Sequence, residues 1–383
     1  MITYSYLTKQ QLLEGIYSRK IDSDDGFIES ALYGIRDHSG DEIVGVIAED
    51  NDRLVGRLLL SYTDILVDGK LIRCAVGSNL YVTESFRRKA VGIKLLWKFM
   101  ERDIPYIAAS TSADASRLFS ASRQFHLIDN SPIFTCGLRL DGSIRTARLA
   151  LQRDEKVDPG ISMSRQIQVV TSKVLRGWRL KYSDSRAITE LTPKETEAFL
   201  PKLVDLRNLP VYLPWNKSVL LEAINRVTGS PRAWMITHSK SNVAQNYLLT
   251  LYLTTKEWSL FRTKDIREVK VARLTEIFPP VSDAETGEDL ITFAAQKARH
   301  MGAAILEVPA NTEALKHACG KLDFENFSRK TIWFAPGNAK GGEIDKMCDP
   351  AAWWCRGMNE DQFEETYQPV GASRLLADSS VLL

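Results

Sequence analysis

Two periods of apolar spacing alternate along this chain, and the points where one gives way to the other mark out its elements. A period near two predicts strands at residues 2–7, 43–48, 54–62 and 71–82, and a period near 3.6 predicts helices through Leu12, Leu13 and Ile16 and through Phe27, Ile28, Leu32 and Ile35. The strands at 43–48 and 54–62 are separated by the polar turn Glu49-Asp50-Asn51-Asp52, and Val67-Asp68-Gly69-Lys70 reads as a two-residue hairpin. After a short basic segment, Ile93, Leu96, Trp97 and Met100 recur at helical spacing. A strand at 106–110, a helix at 113–125 and a strand at 132–138 follow.

That last unit recurs. Residues 303–308 read as a strand, 311–322 as a helix and 328–334 as a strand, in the same order and at nearly the same lengths. Upstream of this second copy lie strands at 234–237, 247–253 and 258–263, a long strand at 269–278, and a helix through Leu290, Phe293, Ala294 and Ala298. The pattern predicts an internal repeat whose halves meet between residues 145 and 175, with a charged, glycine-containing linker at 153–160. The expected domains are 1–150 and 165–383.

Composition narrows the class. With 383 residues, 44% hydrophobic and 26% charged, the chain can build substantial cores in two or three domains. Lys+Arg 50 against Asp+Glu 48 gives a net charge of +2, which offers no general electrostatic case for nucleic acid or an anionic membrane, so any positive charge that matters is local. No apolar run approaches the roughly 20 residues of a membrane span, and Lys9 and Glu14 stand where a secretory signal needs an apolar centre, so a cytoplasmic protein is expected. Cys74, Cys136, Cys319, Cys348 and Cys355 show no C-x-x-C spacing and the chain has 5 His, so reduced, buried thiols and no metal site are expected.

The local charge lies at Arg87-Arg88-Lys89, between the apolar strand end Leu80-Tyr81-Val82 and the helix that begins near Val91. A helix N-terminus presents unpaired N–H groups and the positive end of its macrodipole, and small residues at Ala90 and Gly92 let a ligand approach the backbone. A pyrophosphate suits such a turn. The spacing Arg87-x-x-Ala90-x-Gly92, in about seventeen residues from Leu80 to Leu96, resembles the acyl-CoA pyrophosphate loop of the GNAT superfamily of N-acyltransferases. There the pattern is R/Q-x-x-G/A-x-G/A between the fourth strand and the third helix, and Ala90 takes the place most often held by glycine.

The resemblance implies an α/β fold of two GNAT-like domains in tandem, each a mixed, mostly antiparallel sheet flanked by helices. It implies acetyl-CoA or another acyl-CoA as donor, held by Leu80, Tyr81, Val82, Arg87, Arg88, Lys89, Ala90, Val91, Gly92 and Ile93, with backbone from Asn79 to Val82 pairing the pantetheine arm. Metal is not needed. In the second half the matching stretch, 278–289, has no basic residue, carries Pro279 and Pro280, and is acidic at Asp283, Glu285, Glu288 and Asp289, so one half is expected to bind coenzyme and the other not. The tandem order is similar to that of some sugar N-acyltransferases, N-myristoyltransferases and Fem-type peptidyltransferases.

The family's usual acid and base do not carry over. The frequent carboxylate of the fourth strand falls near Val76, and the frequent tyrosine falls at Phe119 when Ser112-x-x-Ala115-x-x-Leu118-Phe119 is set on N-x-x-A-x-x-L-Y. The second copy has Asn311 and Ala314 but Ala318 at that place. Candidate catalytic residues are therefore Ser78, Tyr81, His126 and Glu276. The proline-punctuated aromatic loop 207–216, with Arg207, Tyr212, Trp215 and Asn216, offers stacking surface and donors for an acceptor, and 353–361 has similar character. The expected reaction is transfer to a small-molecule primary amine, with an amino sugar or nucleotide-linked amino sugar as the leading acceptor. Rival readings are a Fem-like aminoacyl transferase using charged tRNA, against which neutral charge and an intact coenzyme loop argue, and a non-catalytic acyl-CoA sensor, kept open by Val76 and Phe119.

Overall fold

The chain's described strands join into a single fourteen-stranded sheet in the computed structural model, which describes residues 1–14, 41–109, 113–157, 163–182, 187–192, 194–196, 198–199, 211–212, 217–226, 228, 230–240, 243–259, 266–350 and 353–354. β1 (Ile2–Thr8) leads into the short α1 (Lys9–Leu13), whose N-cap Thr8 and Gln11 form a reciprocal capping box. The expected helices between 16 and 35 fall outside the described residues. β2 (Ile43–Asp50) and β3 (Arg53–Val67) join through Asn51 and Asp52, and β3 joins β4 (Lys70–Val82) through Asp68 and Gly69; all four have positive φ, as type I′ hairpins require.

α2 (Val91–Met100), β5 (Tyr106–Ala109), α3 (Ala113–Ser122) and β6 (His126–Gly137) complete the first half. α2 buries Val91, Leu95, Leu96, Phe99 and Met100, so its apolar face is rotated from the expected one and Trp97 is 50% exposed. α3 stops three residues earlier than expected because Arg123 adopts a left-handed conformation, and β6 begins six residues earlier, through a polar stretch whose strand character comes from pairing with β13.

The described part of the expected linker, residues 153–157, is helical. α4 (Leu140–Val157) runs through Arg153–Val157, and α5 (Met163–Tyr182) packs on it. The helix formers Arg153, Glu155 and Lys156 stand in that charged stretch, directly after Leu151 and Gln152. Gly137, Gly142 and Gly177 let these helices close on the sheet: a Cβ on Gly142 would stand 1.9 Å from the Ala304 carbonyl oxygen, and one on Gly177 2.4 Å from that of Gly137.

β7 (Ile188–Glu190), β8 (Val211–Tyr212) and α6 (Lys217–Asn225) precede β9 (Arg232–Lys240), β10 (Val243–Ser259) and β11 (Ile266–Phe278). β10 is one continuous strand where two were expected; Thr254 to Glu257, polar enough to read as a turn, pair with Glu268 to Val271. α7 (Ala284–His300), β12 (Ile305–Pro309), α8 (Glu313–Lys321) and β13 (Glu325–Ala335) repeat the earlier order, and α9 (Gly342–Met347) and β14 (Trp353–Trp354) end the described chain.

The sheet order is β1-β2-β3-β4-β5-β13-β6-β12-β11-β10-β9-β7, with β8 on β3 and β14 on β8. The last strands of the two halves are exchanged. β13 pairs β5 through Tyr106↔Ala335, Ile107↔Phe334 and Ala108↔Trp333, and β6 pairs β12 through Ile305↔Gly137, Leu306↔Cys136 and Glu307↔Thr135. This is a twofold relation, and smaller details obey it. β4 and β5 pair in parallel over three residues, as do β11 and β12. The ladder slips just past that point in both halves, between Arg57 and Leu59 against β4 and between Thr250 and Leu251 against β11. Arg123 and Asp323 end α3 and α8 with the same left-handed residue.

Cys74, Cys136 and Cys319 are buried free thiols, and burial raises their pKa, that of Cys136 to about 12, which keeps them unreactive. No described helix is long and apolar enough to cross a membrane.

Between the second half's strands a carboxylate, Glu307, is 2% exposed and accepts from Lys256 Nζ (3.0 Å), Arg273 Nε (2.9 Å) and Arg273 Nη2 (2.5 Å). Burial pushes its pKa up, but the two cations and their hydrogen bonds outweigh this and hold it below the usual range. Glu307→Gln is therefore expected to lower stability by about 3 kcal/mol at pH 7. A depressed folded pKa gives stability present above the unfolded value near 4.3 and lost as pH falls through the folded value, so the gap between variant and parent should narrow below about pH 4. Chemical denaturation at pH 7, 5 and 3.5 measures it; a gap independent of pH would mean that the pairing contributes nothing.

Candidate functional site

Where β4 leaves β5 the backbone becomes available. Their ladder covers Ala75 to Gly77 against Tyr106 to Ala108, and beyond Gly77 the β5-facing edge of residues 78–82 has no ladder partner among the described residues. On its other edge β4 stays paired to β3, with Leu59↔Ser78, Arg57↔Tyr81 and Gly56↔Val82. The slip in that ladder falls at the same place, so a mid-sheet strand carries N–H and C=O groups without ladder partners among the described residues into the cleft where β4 and β5 part.

β4 then turns into α2. Thr83 donates from both N and Oγ1 (2.7 Å) to the Val55 carbonyl, fixing the exit, and residues 84–89 form a 3₁₀ turn that exposes Arg87, Arg88 and Lys89. Arg87 Nε donates to the Val82 carbonyl at 3.3 Å, and Lys89 Nζ lies 4.1 Å from the centre of the Phe86 ring. Gly56 brings the helix close: a Cβ there would stand 2.9 Å from Val91 Cγ1.

Ala90 is the N-cap and sits in the left-handed region at φ 56, ψ 23, a conformation that costs a non-glycine residue roughly 1–2 kcal/mol. No side chain caps the helix. Gly92, in the first turn, has no steric reason to be glycine: an added Cβ would meet Val82 Cγ2 at 3.7 Å and Leu118 Cδ2 at 3.9 Å, ordinary contact distances. Both residues are unfavourable for the fold, and both suit close approach of an anion to the backbone.

The second half shows the alternative. The N-cap of α7 is Asp283, whose carboxylate accepts from Thr286 N (2.9 Å) and from Thr286 Oγ1 (2.8 Å), so a fixed negative charge already occupies the anion position of that helix. The matching strand end differs as well. Leu274 to Phe278 are buried throughout, whereas Tyr81 is 44% exposed and Leu80 and Val82 are half-buried. The strand end and helix start are thus open in the first half and closed in the second.

The other expected site residues are scattered. Ser78 lies at the start of the splayed stretch, and Tyr81 follows it with the Arg57 guanidinium 5.0 Å from its ring centre. His126 opens β6 and lines a groove of about 460 Å³ with Trp97, Met100, Arg123 and Asn338. That groove is at the C-terminal end of α2, about 15 Å of helix from the basic turn at its start, and His126 is not brought to the cleft. Glu276 is buried on β11, opposite Thr250. Following the ladder directions across the sheet, β11 runs antiparallel to β4, so its free end faces the opposite edge of the sheet, five strand steps or about 24 Å away. Tyr212 lies in β8, paired to Leu66 near the start of β4, and Trp354 of β14 pairs with it, so the two acceptor stretches meet each other there. Arg207, Trp215 and Asn216 lie outside the described residues.

Sequence reasoning passed over Arg57 and Asp129. Arg57 is 5% exposed and interrupts the apolar run 54–60, a signal that was present but read as strand alternation. Asp129, level with the end of β5 through Ala109↔Ile332 and Ile332↔Asp129, accepts from Ser131 and is visible only once β6 is known to start at His126. Among the described residues no group of His, Cys, Asp and Glu could hold a metal ion.

No protein-family model and no curated protein matches the chain. Among solved structures, the Saccharomyces cerevisiae N-myristoyltransferase with bound myristoyl-CoA is similar at a TM-score of 0.49, with 11% identity over 88% of this chain and 83% of that one. GCN5-related N-acetyltransferases from Kribbella flavida (TM-score 0.43, 13% identity, 87% and 70% covered) and Anabaena variabilis (0.44, 12%, 88% and 73%) are also similar.

Two neighbouring substitutions test whether these small residues serve the fold. Gly92→Ala should stabilise the protein by about 0.5 kcal/mol, since alanine is the better helix former, and Ala90→Gly by about 1 kcal/mol, since glycine adopts the left-handed conformation freely. Denaturant titration measures both; a loss of stability in either variant would mean that the residue is there for packing.

Proposed function

We propose that this protein is an acyl-CoA-dependent N-acyltransferase whose first half binds the coenzyme and whose acceptor is a small-molecule primary amine, an amino sugar or nucleotide-linked amino sugar being the leading class. The observation that carries the reading is the contrast between two related helix N-termini. One is uncapped, carries Ala90 and Gly92 against the interest of stability, and follows a splayed, partly exposed strand; the other is sealed by Asp283.

In this reading the pyrophosphate lies on the first turn of α2 with Arg87, Arg88 and Lys89 adding charge, and the pantetheine arm pairs with the free edge of 78–82. A thioester held there would have its carbonyl polarised by backbone N–H groups, and the amine would attack directly. Of the proposed catalytic residues, Ser78 and Tyr81 belong to the cleft. The protein is taken to act in the cytoplasm.

A specific observation also favours the non-catalytic reading. Val76 and Phe119 are buried at the two positions where the family resemblance expects titratable groups, and neither His126 nor Glu276 comes to the cleft to replace them. Release of free thiol from acetyl-CoA with a panel of amines decides between the two.

CoA is expected to raise the melting temperature by binding the native state, and Gly92→Glu, which sets bulk and negative charge against the pyrophosphate, should abolish the rise. Asp283→Ala is the control: it removes a helix cap worth about 1 kcal/mol and should leave CoA affinity unchanged. A reversed result, with CoA binding lost in Asp283→Ala and kept in Gly92→Glu, would transfer the coenzyme to the second half.

A further inference from the structure

The floor of the cleft is filled with aromatic rings. The last paired residues before β4 and β5 part are Gly77 and Ala108. Tyr106 occupies the space above Gly77, where a Cβ would stand 1.7 Å from the Tyr106 hydroxyl oxygen. Tyr106 meets Phe99 at 5.3 Å and Phe125 at 5.7 Å between ring centres, Phe125 stacks on Phe119 at 4.5 Å, and Phe119 meets Trp333 at 6.0 Å. On the opposite face of the sheet Val76 and Ile107 are buried, Ile107 within a cluster containing Ile332 and Phe334. A chain descending between the strands therefore meets packed side chains on both faces.

One floor residue has an unmet hydrogen bond. Trp333 is 8% exposed and its Nε1, a donor, is buried without a partner. It pairs with Ala108 on the exchanged strand, so the second half supplies it to the first half's cleft. A buried donor is unfavourable next to hydrocarbon and favourable next to a carbonyl oxygen.

We infer that this floor restricts the donor to acyl groups of a few carbons, with Tyr106, Phe119 and Trp333 as the residues that set the limit. The inference rests on the coenzyme assignment made above. A short thioester brings its carbonyl to the floor and stops there. A longer chain requires stacked rings to leave their packing, and interiors at this density yield little without strain.

Calorimetric titration of the purified protein with CoA, acetyl-CoA and octanoyl-CoA tests this without knowledge of the acceptor. A tunnel that swallowed the alkyl chain would gain roughly fourfold in affinity per methylene, on the order of a thousandfold or more across octanoyl's extra carbons. Octanoyl-CoA is expected to bind no more than about tenfold tighter than acetyl-CoA; a larger gain overturns the proposal. Phe119→Ala should raise octanoyl-CoA affinity about tenfold or more while acetyl-CoA affinity holds within about threefold, and no gain in a variant with native circular dichroism overturns the assignment of the limit to this floor. Should Phe119→Ala not fold, the wild-type titrations decide the limit by themselves, and Trp333→Phe, nearer in shape, should give a smaller gain of the same sign. Failure of the coenzyme reading is distinct, because it removes binding of free CoA along with both thioesters.

Discussion

Backbone pairing of β13 with β5 and of β6 with β12 is the constraint on which the rest of the structure depends. Each half lends its last strand to the other, so neither sheet closes without residues some 200 positions away, and the halves share one continuous sheet. The exchange fixes function as well as stability. It sets β4 and β11 antiparallel, so the stretches that follow their parallel ladders run to opposite sides of the sheet. It also carries Trp333 from the second half to the floor of the first half's cleft.

Within that frame the halves have diverged where ligand and fold make conflicting demands. Both keep the three-residue parallel ladder and the slip beyond it, which are backbone features. The helix that follows is treated differently in each. Asp283 satisfies the N-terminus of α7 from within the chain, with the charge and hydrogen bonds a helix start favours. Ala90 and Gly92 make α2 less stable by local measures, and the space around Gly92 does not require glycine. Departures from local optimum of this kind concentrate at functional sites.

The sequence made the repeat legible because the β–α–β units share length and period, and the basic turn before α2 legible because basic, small and apolar residues fall at fixed offsets. Turns announced themselves through Asp68-Gly69 and Asn51-Asp52. The strand exchange was invisible, since Trp333, Phe334 and Ala335 would read the same against either β12 or β5. Helices α4 and α5 were hidden by charge, which marks a solvated helix face as readily as a linker. Direction was the hidden quantity for the site: Glu276 in an apolar run looked like a buried base, and only the antiparallel relation of β11 to β4 removes it from the cleft. His126 was lost for a simpler reason, lying at the wrong end of α2.

The cleft that remains is rich in backbone and poor in titratable side chains. Direct attack by a neutral amine needs a positioned thioester and a polarised carbonyl more than it needs a strong base, because an amine that is neutral when it arrives loses its proton only after the new bond forms. Free edge groups on residues 78–82 can supply the first two requirements, and they tolerate Val76 and Phe119 without difficulty. Tyr81 is exposed in that stretch, and the buried Arg57 guanidinium, over its ring, restricts where it can turn. Under the proposed reading the fold therefore contributes chiefly geometry.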